Sequence, residues 1–160
     1  MTKEETYAYL NARGIEYEIT NHPAVFNMAE VSHIDLPYPE ANAKNLFVRD
    51  SARNFFLITV QGEKRVDLKL FRAKHGTKRL SFTTADELLS ILGLTAGSVS
   101  PLGILKDEER KVHCFIDKDL VDLGRIGMHP NDNTATVWLR TSDLIDILRD
   151  HGNTVEVVEL

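Results

Sequence analysis

Apolar and polar positions alternate with two different periods along this chain, and the period changes at short runs of Gly, Pro, Asn and Asp. Thr2 followed by Glu4 and Glu5 predicts the capped start of a first helix, with Tyr7, Leu10 and Ala12 turned inward and Gly14 as its stop. Ile15, Tyr17 and Ile19 then alternate with Glu16 and Glu18, which predicts a strand over residues 15–20. A short helix is expected near 27–33. Residues 36–39 should be extended, because Pro37 and Pro39 each disfavour helix at the residue before them.

Largely apolar runs at 46–48 and 55–60 predict neighbouring buried strands joined by a polar turn over 49–54. Residues 67–74 fit a helix with Leu68, Leu70 and Phe71 inward, closed by Gly76. A brief strand is expected at 80–82. Thr84 and Glu87 form a capping box ahead of apolar 88–92, and Gly93 stops that helix. Strands are predicted at 112–116 and 134–139. Thr141 opens a last helix with Leu144, Ile145 and Leu148 on one side, Gly152 ends it, and 155–158 form a final strand. Helices interspersed among about seven strands predict an α+β (mixed α/β) fold in a single domain over residues 1–160, with no internal repeat or linker.

Composition narrows the class. At 160 residues the chain can bury roughly 70% of its unfolded surface in one core, and its 42% apolar and 27% charged residues suit a globular protein. No apolar run reaches the roughly 20 residues of a membrane span. The start, Met1-Thr2-Lys3-Glu4-Glu5, lacks a signal peptide's apolar segment. A single cysteine, Cys114, excludes an intramolecular disulfide and fits a cytoplasmic location.

The net charge of −5 argues against indiscriminate nucleic-acid binding, yet it is unevenly spread. Residues 44–79 hold ten Lys/Arg against Asp50, Glu63 and Asp67, a local +7, and the remainder sums to −12. That basic stretch is either a solvated face or a phosphate-facing patch, with the acidic remainder limiting non-specific adhesion.

Most enzyme signatures are missing: there is no HExxH, CxxC pair, GxSxG elbow or GxxxxGK[ST] loop. The six histidines show no metal-ligand spacing, so no metal or other cofactor is expected. Cys114 alternates with Val112 and Ile116 and reads as a packed strand thiol rather than a nucleophile. Lys44 is either a strand-end lysine in solvent or a cation at a cavity rim, able to meet a phosphate or a carbonyl. Asn45 could hydrogen-bond a ribose or an ester, or cap local backbone. Residues 127–131 are either a turn shaped by Gly and Pro or a loop in which Gly127 admits a ligand, neighbouring N–H groups polarise a carbonyl, and His129 holds a water or relays a proton. Ser100, in Ser100-Pro101-Leu102-Gly103, serves a turn or a substrate.

Five segments in order carry a resemblance: His22-Pro23-Ala24-Val25; Lys44-Asn45-Leu46-Phe47 with Asp50; Ser100-Pro101-Leu102-Gly103; residues 112–117; and His129-Pro130-Asn131 with Asn133-Thr134-Ala135-Thr136. Together they resemble the YbaK/prolyl-tRNA-synthetase-associated editing domains, and among these the free-standing Ala-tRNA(Pro) deacylases (the ProXp-ala or PrdX type). The resemblance implies a partly barrel-like mixed sheet flanked by helices. It implies a cytoplasmic trans-editing hydrolase that removes alanine wrongly esterified to proline tRNA, without metal, cofactor or covalent intermediate. Lys44 and His129 take the catalytic positions. Asn45, Ser100, Gly127 and Met128 surround the aminoacyl-adenosine, with Val25, Phe26 and Met128 as the size limit. The implied partner is the acceptor end of tRNA(Pro), with prolyl-tRNA synthetase as a second partner left open, and neither membrane nor DNA. Two other readings stay open: a Cys-tRNA(Pro) deacylase of the YbaK type, and a non-catalytic module binding aminoacyl-tRNA or a synthetase.

Overall fold

The computed structural model describes residues 1–24, 28–31 and 34–160. Helix α1 (Lys3–Ala12) opens with the expected capping box, Thr2 and Glu5 satisfying each other's backbone N–H groups. Its buried side chains are Thr6 and Leu10, whereas Ala12 is exposed. Strand β1 (Tyr17–Asn21) follows, with Ile19 41% exposed rather than buried, because β1 is an edge strand. The expected helix near 27–33 is represented by one turn, α2 (Met28–Val31), and its predicted ends lie outside the described residues.

Eight strands form among the described residues, in two sheets. The smaller sheet has the order β1-β7-β6 and is antiparallel throughout, with β6 at Arg125–Met128 and β7 at Ala135–Arg140. The larger has the order β4-β2-β3-β5-β8. Here β2 (Ala43–Asp50) pairs antiparallel with β3 (Phe55–Gln61) and β4 (Leu80–Phe82), while β5 (Val112–Asp117) runs parallel to β3 and to β8 (Val155–Val158). One isolated parallel bridge, Asn42 to Gly127, links the edge of one sheet to the start of the other. No closed barrel forms among the described strands.

The facing sides of the two sheets, with α4 (Ala85–Leu92), α6 (Thr141–His151) and a 3-10 turn (Pro101–Lys106), enclose the main core. Helix α3 (Leu68–His75) covers the other face of the larger sheet and buries Phe71 against Val48, Phe56, Ile58 and Phe115. Leu70 is 52% exposed, so it lies outside the inward stripe expected of it. Gly76 and Gly93 end α3 and α4 in the left-handed conformation, as their positions predicted.

Two elements escape the sequence pattern. Helix α5 (Lys118–Leu123) is capped by Asp117 and closed by Gly124. Strand β6 occupies residues whose glycine had suggested only a loop, so Gly127 and Met128 are strand residues. The reason is steric: Gly127 sits opposite Trp138, and a Cβ there would come within 2.2 Å of the indole ring. Glycine marks close packing here, not a turn. No helix among the described residues is long and apolar enough to cross a membrane.

Candidate active site

Register decides where β2 sends its polar side chains. Lys44 is opposite Val60 and Asn45 opposite Thr59, so the two point to opposite faces of the sheet. Leu46 and Val48 share the Lys44 face and pack under α3; Ala43 and Phe47 share the Asn45 face and join the main core. The Lys44 amine donates to the Lys64 carbonyl, in the loop leading to α3. Burial, with the nearby Arg65 guanidinium adding to it, lowers the Lys44 pKa from the ordinary lysine value. Asn45 Oδ1 accepts a 2.6 Å hydrogen bond from Thr59 Oγ1.

His129 follows β6. Its Nδ1 lies 3.0 Å from the Ala135 carbonyl oxygen, which can only accept. Nδ1 therefore carries the proton, and Nε2 is left as an acceptor in the neutral ring. Burial chiefly, and the neighbouring His22, lower the His129 pKa, against the opposing pull of the Ala135 carbonyl and Asp132. The turn beyond is tightly tied. Asn131 adopts a left-handed φ of 59°, Asp132 accepts from the Thr134 N–H at 2.8 Å and from its hydroxyl, and Lys3 reaches Thr134 Oγ1 from α1 at 3.0 Å.

The Asn42–Gly127 bridge brings these two segments side by side. Two residues further along each chain stand Lys44 and His129. One residue further stand Ala43 and Met128, both packed in the main core. Lys44 lies on the face of β2 away from the main core, and His129 follows Met128 just past the end of β6. Met128 is 2% exposed and faces the core. Ser100 is fully buried, its hydroxyl accepting from the Leu102 N–H to cap the 3-10 turn. Val25 and Phe26 lie outside the described residues.

Five residues that were not among the expected site residues join this region. Trp138 lies over Gly127 and donates to Thr20 Oγ1 at 3.0 Å, and Tyr38 meets its ring edge-on at 5.5 Å between centroids. Arg125 stacks on Tyr38 at 3.8 Å, so the Pro37-Tyr38-Pro39 segment is clamped onto the small sheet. His22 and Thr136 form the remaining pair, with His22 Nε2 2.9 Å from Thr136 Oγ1 and its ring 6.2 Å from that of His129. His22 and Thr136 lie in segments that carried the resemblance; nothing in the chain pointed to Trp138, Tyr38 or Arg125.

Of the ten basic residues in 44–79, Arg49 and Arg53 pair with Glu87, and Lys64 with Asp117 and Asp119. Arg65, Lys69, Arg72, Lys74, Lys78 and Arg79 are exposed and have no ion pair among the described residues. They line α3 and its flanks, next to the loop that holds the Lys44 amine. Asp50 is structural: burial would raise its pKa, but hydrogen bonds from Asn54, Lys78 and Ala52 hold it below the usual value. Cys114 is buried, which pushes its thiol up to about 12 and removes it as a nucleophile. No group of three or more His, Cys, Asp or Glu among the described residues could hold a metal ion.

Comparison with known proteins assigns the family. The model of the aminoacyl-tRNA editing domain matches residues 22–147. The prolyl-tRNA editing protein ProX of Acetoanaerobium sticklandii is 38% identical over 159 residues, covering 99% of this chain and 97% of that protein. The prolyl-tRNA synthetase associated domain-containing protein 1 of Danio rerio is 30% identical, over 95% of this chain and 84% of that one. A crystal structure described as a candidate trans-editing enzyme for prolyl tRNA synthetase superposes with a TM-score of 0.73 at 18% identity, over 99% of this chain and 95% of its own, which speaks for the fold. The chain belongs to the aminoacyl-tRNA editing domain family.

Proposed function

We propose that this editing-domain protein is a trans-acting hydrolase that deacylates mischarged Ala-tRNA(Pro), releasing alanine and free tRNA. The observation that carries the reading is the Asn42–Gly127 bridge, which sets the Lys44 and His129 segments against each other. The name of the 38% identical relative, a prolyl-tRNA editing protein, supports prolyl-tRNA as the substrate class.

In this reading the Lys44 amine exchanges its carbonyl partner for the ester or an adjacent phosphate, where negative charge develops. His129 Nε2 accepts a hydrogen bond from the terminal 2′-hydroxyl of the tRNA or from the attacking water. Water adds to the ester carbonyl, the bond to the ribose oxygen breaks, and that oxygen takes the proton. No protein nucleophile is required. Asn45 lies on the opposite face of β2 and braces the strand through Thr59. Gly127 contributes main-chain groups on the β6 edge, and Ser100 shapes its turn. The acyl pocket in this reading admits only a small side chain, and Met128 shapes it from the core side.

Such a pocket answers a physical problem. A synthetic site built for proline rejects a smaller apolar amino acid weakly, because each missing methylene is worth about 1–3 kcal/mol. A second site too small for proline removes the error by exclusion. Prolyl-tRNA synthetase is then the partner that recharges the released tRNA.

Purified protein incubated with Ala-, Cys- and Pro-charged tRNA(Pro) tests the reading. We expect rapid loss of alanine, slower loss of cysteine and none of proline. Fastest release of cysteine would move the substrate to the Cys-tRNA(Pro) class. Mischarged tRNA that binds and stays intact would leave a non-catalytic binding module.

A further inference from the structure

His129 has a second imidazole beside it that the mechanism above does not use. His22 ends the same small sheet: its backbone N–H donates to the Thr134 carbonyl at 3.0 Å, continuing the β1–β7 ladder. Its Nδ1 lies 2.9 Å from the Pro23 carbonyl oxygen, so Nδ1 carries the proton. Its Nε2 therefore accepts from the Thr136 hydroxyl at 2.9 Å. Both ring nitrogens of His22 are occupied.

The two rings are held from one strand. Ala135, through its carbonyl, fixes His129; Thr136, the next residue, fixes His22 through its hydroxyl. The ring centroids are 6.2 Å apart and the planes tilted by 59°. Thr136 is 3% exposed, so its hydroxyl has little access to water as an alternative partner. Among the described residues, the other charged group that bears on His129 is Asp132 in the same turn, which Lys3 faces in turn from α1.

We propose that His22, locked by Thr136, is a positioning residue for His129: it fixes the ring's place on the sheet and keeps Nε2 free to face substrate. This rests on the reading of His129 as the group that meets the aminoacyl end. His22 is not itself a proton carrier in this arrangement, because both of its ring nitrogens are already hydrogen-bonded within the protein. What it supplies is a wall against which the His129 ring rests, and a neighbouring ring that disfavours a proton on His129.

Two variants and two readouts test this in the full-length protein. His22→Phe keeps a planar ring and removes the nitrogens; Thr136→Val removes one hydroxyl at nearly constant shape. Titration of the His129 ring by NMR, without RNA, reads the pairing independently of any activity. In His22→Phe its midpoint should rise as the neighbouring imidazole is lost. The acid limb of kcat/KM for Ala-tRNA(Pro) should move upward by the same interval. Thr136→Val should lower kcat/KM by about fivefold to tenfold, the worth of one buried hydrogen bond, with Thr136→Ser restoring it. A His129 titration unmoved in His22→Phe overturns the proposal, as does a Thr136→Val enzyme with unchanged kcat/KM. If the wild-type protein hydrolyses no aminoacyl-tRNA, the proposed function falls, while the NMR titration still decides the pairing.

Discussion

Two residues separated along the chain by more than half its length owe their chemistry to what surrounds them. Lys44 sits on the α3 face of β2 with its amine on a backbone carbonyl, beside Arg65. His129 is neutral by construction, its Nδ1–H given to Ala135 and its charged form disfavoured chiefly by burial. The sign of its pH dependence follows. Its folded pKa is below the unfolded value of 6.5, so the neutral ring dominates throughout the neutral range and is lost only as pH falls below that value. Deacylation rate measured from pH 5 to 8 should be flat above about 6.5 and fall on the acid side. Folding stability should follow the same direction, complete above about 6.5 and decreasing as acid protonates the unfolded chain first. A rate that declines as pH rises from 6 to 8 would assign the ring a different role.

At the scale of elements, local signals and long-range pairings behaved differently. The capping boxes at Thr2–Glu5 and Thr84–Glu87 and the glycine stops at Gly76, Gly93 and Gly152 are written within a few residues, and all were legible. Strand β6 was not, because its glycine is explained by a partner eleven residues away in β7. The lock between His22 and Thr136 spans 114 positions and has no local signature. Lys44 and His129 were marked by motif resemblance, but the Asn42–Gly127 bridge that sets their segments side by side joins two sheets, and no periodicity encodes it. The Gly127–Trp138 contact makes a prediction of its own. Gly127→Ala would place a methyl group inside the indole, which must shift together with its contacts to Tyr38 and Thr20. Chemical denaturation should show a loss of about 1–3 kcal/mol, with unchanged stability contradicting the close approach.

Across the whole molecule, charge is segregated. The overall balance is −5, yet six exposed cations with no ion pair among the described residues line α3 and its flanks, adjacent to the loop that holds the Lys44 amine. An acidic body with one basic track favours a polyanion approaching along that track over unspecific adhesion. Each phosphate contact contributes a slope of about −0.7 to −0.9 in log affinity against log salt. Binding of tRNA(Pro) should therefore weaken by at least about tenfold between 50 and 200 mM salt, and Lys69→Ala with Arg72→Ala should flatten the slope. A salt-independent affinity would make the track ordinary solvated surface.

The most direct test of the account is a double-mutant cycle between Lys44→Ala and His129→Ala, read as kcat/KM on Ala-tRNA(Pro). If both groups meet the same ester, each single substitution should cost about 100-fold or more, and the double variant little beyond the worse single one. Losses that multiply independently, or a Lys44→Ala enzyme that retains wild-type turnover, would contradict the claim that the two residues work in one cleft.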